Sequence, residues 1–325
     1  MPKNEKVVLF PKLKTTLENE SLRLLQNKNY TEALSMLNQL IHYDIQSHEI
    51  IIGKLICLME LGRYTEAQDE CEKVLSKRNK HYYDYLHIYL TILFQTNQYE
   101  QLMKIVDHEL DYKHVPTIIR DQFKQLYSLS EAMEKELNIE KSVKYTKQLK
   151  EAIAHQQYTE QWRTIERLRK INAEPTNEMI TLLKDEDIHP VVKTALFQWL
   201  QERNISEAVS VYKMGYEDHI KPTTVPTIES HVAMKQILLI ISELEQKNPS
   251  LHQMLEQLLF RYAYVYYPFL PSSEDAIHIS EALKVVGEEY LNIKGMANED
   301  SRSERKEYVQ AIKTGNLLYS SVLVE

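Results

Sequence analysis

The sequence predicts a mostly α-helical protein, with antiparallel helix pairs first and then a helical C-terminal region carrying one β-hairpin. Three observations lead there. The phrase Asn29-Tyr30-Thr31-Glu32-Ala33 returns as Arg63-Tyr64-Thr65-Glu66-Ala67, with both the tyrosines and the alanines 34 residues apart. Self-similarity at that period marks a two-helix repeat. Around each copy, apolar residues recur at three- and four-residue spacing, as an amphipathic helix requires. Finally, the 325 residues include only 6 glycines and 10 prolines, so few positions oppose helix formation.

Taken in order, residues 1–11 read as a tail. Residues 12–28 carry Leu13, Leu17, Leu24 and Leu25 at helical spacing. Asn27-Lys28-Asn29 ends that helix, and residues 31–43 form its partner, with Ala33, Leu34, Leu37, Leu40 and Ile41 on the apolar face. The pattern recurs at 50–61 and 65–76 around Gly62, and at 82–95 and 99–110 around Thr96-Asn97-Gln98. Gly62 suits the left-handed residue that closes many helices, and Asn27 or Asn97 can take that role. Ala33 and Ala67 let two antiparallel helices approach closely, while Tyr30, Tyr64 and Tyr99 fill the space beside them. The third copy has Leu102 at the small position.

Pro116 opens a helix to about residue 137, with a break at Asn138-Ile139-Glu140. Residues 142–155 and 158–171 form a fourth pair, in which Gln157-Tyr158-Thr159-Glu160 echoes the phrase and Gln161 takes the small position. The repeat domain thus spans 12–172 and the C-terminal region 173–325. There, a short helix at 178–183 precedes one at 191–203, with Pro190 at its first position. The β-branched alternation of Ala208-Val209-Ser210-Val211-Tyr212, then Met214-Gly215, predicts a hairpin near 208–221, against the competing reading of a fifth helical repeat with Glu207-Ala208 in place. Helices follow at 228–246, 249–266, 272–291 and 304–318, with a loop over 292–303.

The repeated phrase, its small and aromatic positions and the turn at Gly62 resemble the tetratricopeptide-repeat (TPR) family. The departures are Leu17, Ile51 and Leu86 in place of the family's early tryptophan, and Ile45, Asn79 and His114 where its closing proline stands. The resemblance implies a right-handed superhelix of antiparallel helix pairs that binds other proteins. Together with the Val211-Tyr212-Lys213-Met214-Gly215-Tyr216 stretch and Lys221-Pro222, the repeats are similar to a cytoplasmic TPR-containing family of Gram-positive bacteria, which lends no activity.

Composition narrows the function classes. A net charge of -8 opposes broad nucleic-acid binding. The longest apolar run, 237–241, is too short to span a bilayer, so no membrane partner and a cytoplasmic location are expected. Cys57 and Cys71 are the only cysteines, and they fall among leucines as small packing groups. His108-Glu109 begins like a zinc-protease helix, but Tyr112 stands where the second histidine is needed and His114 is off that face. The glycines are isolated, so no phosphate loop forms. No cofactor, metal site or catalytic residue is expected. Two tyrosine clusters, 82/83/85/89 and 262/264/266/267, suit either packing or ligand contact.

The family resemblance places the binding groove on the first helix of each pair. Counting back from the aligned tyrosines gives Leu22, Leu25, Ile52, Ile56, Met59, His87 and Phe94 as groove residues, with Glu18, Glu49 and Asp84 on the rims. The lysine, asparagine and arginine that clamp a peptide carboxylate in chaperone-binding relatives are replaced by Glu18, Leu22, Gly53, Asp84 and Ile88. The expected activity is therefore a non-enzymatic scaffold or adaptor that receives a peptide or an amphipathic helix with basic flanks. Self-association, and filling of the groove by the chain's own segments, stay open. The alternative is a helical-repeat signalling regulator that binds a peptide or a response regulator. That family's catalytic glutamine lies on an N-terminal bundle with no counterpart here.

Overall fold

The computed structural model describes residues 11–111, 115–292 and 304–323. The expected tail, except Pro11, the positions of Tyr112 and His114, and the loop expected over 292–303, except Asn292, lie outside those residues. The chain forms two compact units, residues 1–137 and 138–325. Among the described residues there are fourteen α-helices and one two-stranded sheet, and no helix is long and apolar enough to cross a membrane.

The first unit holds three helix pairs: α1 (Pro11–Gln26) with α2 (Tyr30–His42), α3 (His48–Glu60) with α4 (Tyr64–Leu75), and α5 (Tyr82–Gln95) with α6 (Tyr99–Asp111). Each pair is closed by one left-handed residue two positions before the tyrosine: Lys28 (φ 59°), Gly62 (φ 70°) and Asn97 (φ 57°). In the first turn this residue is Lys28, where the sequence suggested Asn27. The next amide then bonds back to the helix, from Asn29 to the Leu24 carbonyl at 2.9 Å, from Arg63 to Leu58 at 2.8 Å and from Gln98 to Leu93 at 2.9 Å. The preceding amides bond Leu25, Met59 and Phe94, which completes a Schellman closure at each turn. Gln156 (φ 52°) and the Gln157–Ala152 bond at 2.9 Å repeat the same device a fourth time.

Position 33 and its equivalents are sealed: Ala33, Ala67 and Leu102 are 0% exposed and Gln161 is 1% exposed. Tyr30 and Tyr64 are half-buried and Tyr99 is buried. Hence the third copy keeps a fully packed interface with a larger side chain.

The two helices expected on either side of Asn138-Ile139-Glu140 are one helix, α7 (Thr117–Ala154), 38 residues long. The correction has a simple cause. That tripeptide contains neither glycine nor proline, and asparagine costs a helix under about 1 kcal/mol. Ile139 and Val143 are 66% and 69% exposed, so they ride on the helix surface and mark no turn. The later part of α7 packs Leu149 against α8 (Tyr158–Lys170) in the core of the second unit. The unit boundary therefore falls inside α7, away from the expected junction near 172.

The second unit continues with α9 (Asn177–Thr181) and α10 (Pro190–Glu202), then the hairpin β1 (Val209–Lys213) and β2 (Tyr216–Ile220). It ends with α11 (Val232–Ser242), α12 (Pro249–Tyr266), α13 (Ala276–Tyr290) and α14 (Glu304–Val322). Its core is centred on α10, where Leu196, Phe197, Trp199 and Leu200 are 0% exposed. The Trp199 indole donates to the Ala173 carbonyl at 3.0 Å.

The hairpin is antiparallel, with Lys213 paired to Tyr216. Met214 and Gly215 both have positive φ (52° and 84°), the signature of a two-residue type I′ turn. Val209, Val211 and Lys213 point inward. Lys213 is 1% exposed and anchors the hairpin: its ammonium donates to the Thr194 hydroxyl, to the Tyr267 carbonyl at 2.6 Å and toward the Tyr264 carbonyl at 3.5 Å. The Tyr264 carbonyl, in the last turn of α12, also accepts from the Thr194 hydroxyl. Burial, and then the neighbouring Lys193, push the Lys213 ammonium well below the ordinary lysine value. Lys193 is itself satisfied by the Tyr212 carbonyl at 2.6 Å.

Two glycines set the spacing around α12. A Cβ on Gly287 of α13 would lie 2.5 Å from Leu255 Cδ2, and one on Gly315 of α14 would lie 3.1 Å from the Tyr262 Cα. Leu255 is fully buried, so the contact must be relieved within the core. Alanine gains about 1 kcal/mol of helix propensity over glycine, yet overpacking costs about 1–3 kcal/mol. We expect Gly287→Ala to destabilise this unit by about 1 kcal/mol net. Urea unfolding followed by tryptophan fluorescence tests it, because both tryptophans, Trp162 and Trp199, lie in this unit. An unchanged midpoint would show that the contact yields.

His189 supplies a second test. It caps α10, its Nδ1 accepting from the Val191 amide at 3.3 Å, and its Nε2 lies 3.3 Å from the Ser321 hydroxyl. Burial, then Lys213, lower its pKa from 6.5 to about 4. The unfolded chain therefore takes up this proton first as pH falls. Its contribution to stability is complete above pH 6.5 and is lost as pH drops toward 4. The same fluorescence melt should fall across that window, and His189→Asn, which can still cap the helix, should flatten the slope.

Candidate functional site

The first helices of successive pairs pack in turn, α1 on α3 and α3 on α5. Gly53 permits this, since a Cβ there would sit 3.2 Å from Leu25 and 3.3 Å from Leu37. The sequence-selected residues fall on these helices in two sets. Leu22 and Ile56 hold equivalent places one 34-residue period apart, and they are 55% and 40% exposed. Leu25, Met59 and Phe94 form the second set, with Ile52 beside them; all four are half-buried against the core. Phe94 stacks edge-on against Tyr99 at 5.4 Å, so it also holds α5 to α6. His87 is exposed.

One end of this face is polar. His48 and His81 are stacked, with ring centroids 3.7 Å apart and planes 11° from parallel. The Asp84 carboxylate lies 3.2 Å from His81 Nδ1 and 3.6 Å from His48 Nε2. His48 Nδ1 is 3.1 Å from the Tyr85 hydroxyl. Glu49 stands beside the pair, held below the usual carboxylate range by its backbone amide and then Ser47, with lesser help from the histidines. The three donor atoms of His48, His81 and Asp84 lie within 4.8 Å of one another, so this is where a metal ion could be held. Nearly parallel rings, however, aim their nitrogens alongside each other, whereas zinc ligands converge tetrahedrally. The sequence reading singled out Asp84 but passed over the histidines. Their separation of 33 residues, one short of the repeat period, was the available signal.

Several side chains with nucleophilic or metal-binding chemistry elsewhere in the first unit are buried or paired. Glu109 is buried and accepts from the Tyr82 hydroxyl at 2.7 Å. The Tyr89 hydroxyl donates to Glu72 at 2.9 Å, and Tyr85 is 1% exposed. Cys57 and Cys71 are 0% exposed. Burial pushes the Cys57 thiol up to about 11, and burial followed by Glu70 and Glu72 pushes Cys71 up to about 12.

Comparison with known proteins adds the following. The sequence family described as "Protein of unknown function (DUF3196)" matches residues 18–292. The TPR repeat-containing protein YsoA of Bacillus subtilis (strain 168) is 31% identical over 297 residues, covering 90% of this chain and 88% of that protein. Sperm-associated antigen 1 of Rattus norvegicus is 29% identical over 69 residues, which is 21% of this chain and 8% of the rat protein.

The buried, protonated thiols give a direct test. With both cysteines shielded, a chromogenic disulfide reagent at neutral pH should label neither in the native protein and both in denaturant. Fast labelling of either thiol in the folded state would reopen nucleophilic chemistry at that position.

Proposed function

The chain belongs to the DUF3196 family and is a tetratricopeptide-repeat protein, and on that footing we propose that it acts in the cytoplasm as a non-catalytic scaffold for protein–protein interaction. The proposed partner is a peptide or an amphipathic helix laid across α1, α3 and α5. One observation carries this reading: Leu22 and Ile56, equivalent in successive repeats, leave large apolar side chains 55% and 40% exposed where packing does not require it. Helix-in-groove recognition uses anchors of this kind. Exposed carboxylates at Glu49 and Asp84 favour basic residues beside the partner's apolar stripe. The raised cysteine thiols support a role without nucleophilic catalysis.

The test separates binding from folding. Leu22 and Ile56 are exposed, so Leu22→Asp and Ile56→Asp should change stability by no more than about 0.5 kcal/mol. Phe94→Asp is a poorer probe, because Phe94 also packs on Tyr99. Helical peptides selected on the native protein by display should lose about tenfold in affinity to either variant and more to the double variant. Equal affinity for native and double-variant protein, with matching melts, would place the interaction surface elsewhere.

A further inference from the structure

A cavity of about 730 Å³ lies within the C-terminal unit, and its wall is aromatic. Tyr262 and Tyr266 reach it from α12, Tyr308 from α14, Tyr216 from β2 and Phe269 from the segment after α12. The Tyr262 and Tyr266 rings are 4.8 Å apart, tilted by 38°. Tyr216 and Phe269 meet at 5.7 Å and 30°. The phenols converge closely enough to act on one another: Tyr262, raised first by burial, also feels Tyr266, Tyr308 and Tyr216. Their hydroxyl oxygens offer lone pairs.

The charges in the wall are of one sign. Asp275 and Glu307 line the cavity, and among the described residues no lysine, arginine or histidine does. Asp275 is fixed as an anion: it accepts from the Ser272 amide at 3.0 Å and the Ser272 hydroxyl at 2.8 Å, and it bonds Tyr308. These contacts hold its carboxyl below the ordinary range, with a smaller push from His278 on α13. Glu307 is exposed at the rim.

We propose that this cavity binds a small organic cation, one that carries a quaternary or primary ammonium group. Aromatic faces attract such a cation through their ring quadrupoles, most strongly where water is excluded. Phenol oxygens and two carboxylates add favourable potential, while an anionic ligand would meet negative charge. The volume falls in the range of small-molecule sites. The same chemistry could arrive free in solution or as the lysine side chain of a peptide. This site lies in the second unit, apart from the apolar face on α1 and α3, so the two readings stand or fall separately.

The experiment is calorimetric titration of the full chain with choline, spermidine, a blocked lysine peptide and 3,3-dimethylbutan-1-ol, the uncharged isostere of choline. At least one cation should bind about tenfold more tightly than the alcohol. Tyr266→Leu should weaken that cation about tenfold, and Glu307→Gln about threefold. Glu307 is exposed, so its variant should keep the native tryptophan-fluorescence melt. Tighter binding of the lysine peptide would assign the cation to a peptide side chain, and tighter binding of choline or spermidine to a free ligand. The proposal is overturned if the alcohol binds as well as the tightest of the cations. It also fails if no cation at about 10 mM gives heat or raises the melting temperature.

Discussion

The geometry of the helix ends governs the repeats. An α-helix leaves its last carbonyls without intrahelical donors, and a chain that must reverse direction there has to satisfy them within a few residues. A single left-handed residue does both. At Gly62 that conformation is free of a Cβ penalty; at Lys28, Asn97 and Gln156 it costs about 1–2 kcal/mol. Two backbone hydrogen bonds offset the cost at each turn. Because the closure places the following tyrosine two residues on, the aromatic lands beside the sealed small position every time. The 34-residue period is thus the sum of two helix lengths and two turns, and the repeated phrase is its visible trace.

That relation explains what could be read from the sequence. The bounds of α5 and α12 were legible to the residue, because Thr96-Asn97, Asn248-Pro249 and Tyr267-Pro268 punctuate them. The hairpin was legible from β-branched alternation around Met214-Gly215. The left-handed residue of the first turn was missed by one place. Residue preference favours asparagine, but the closure is located by the apolar residues that the helix must bury, Leu24 and Leu25, and these leave Asn27 as the cap. The supposed break in α7 was a local polar patch, which a helix tolerates on a solvent-facing surface.

The sites were less legible than the fold, for a related reason. Periodicity identified which residues share the faces of α1, α3 and α5, and equivalence across repeats picked out Leu22 and Ile56. Exposure, which separates an anchor from a packing residue such as Phe94, depends on the neighbouring helices. The His48–His81 stack needs the offset between repeats to be known, because an isolated histidine carries no information about a partner 33 residues away. The aromatic cavity draws its wall from β2, α12 and α14, three elements whose proximity no local pattern encodes.

The hairpin ties these levels together. Its two-residue turn puts Lys213 and Tyr216 directly opposite each other. Lys213 goes inward, and its amine donates to the Thr194 hydroxyl and to the Tyr267 carbonyl just past the end of α12. Removing that amine would take the donor from the Tyr267 carbonyl, and an unsatisfied buried acceptor costs about 1–3 kcal/mol. Tyr216, its ladder partner, lies against Phe269 in the cavity wall. One pair across one turn therefore links the capping of α12 to the shape of the cavity beside it. The close approach at Gly315 also holds Tyr262, with no side chain between the two backbones. The cavity's rings are positioned by backbone chemistry at the ends and crossings of helices, the same chemistry that sets the repeats in the first unit.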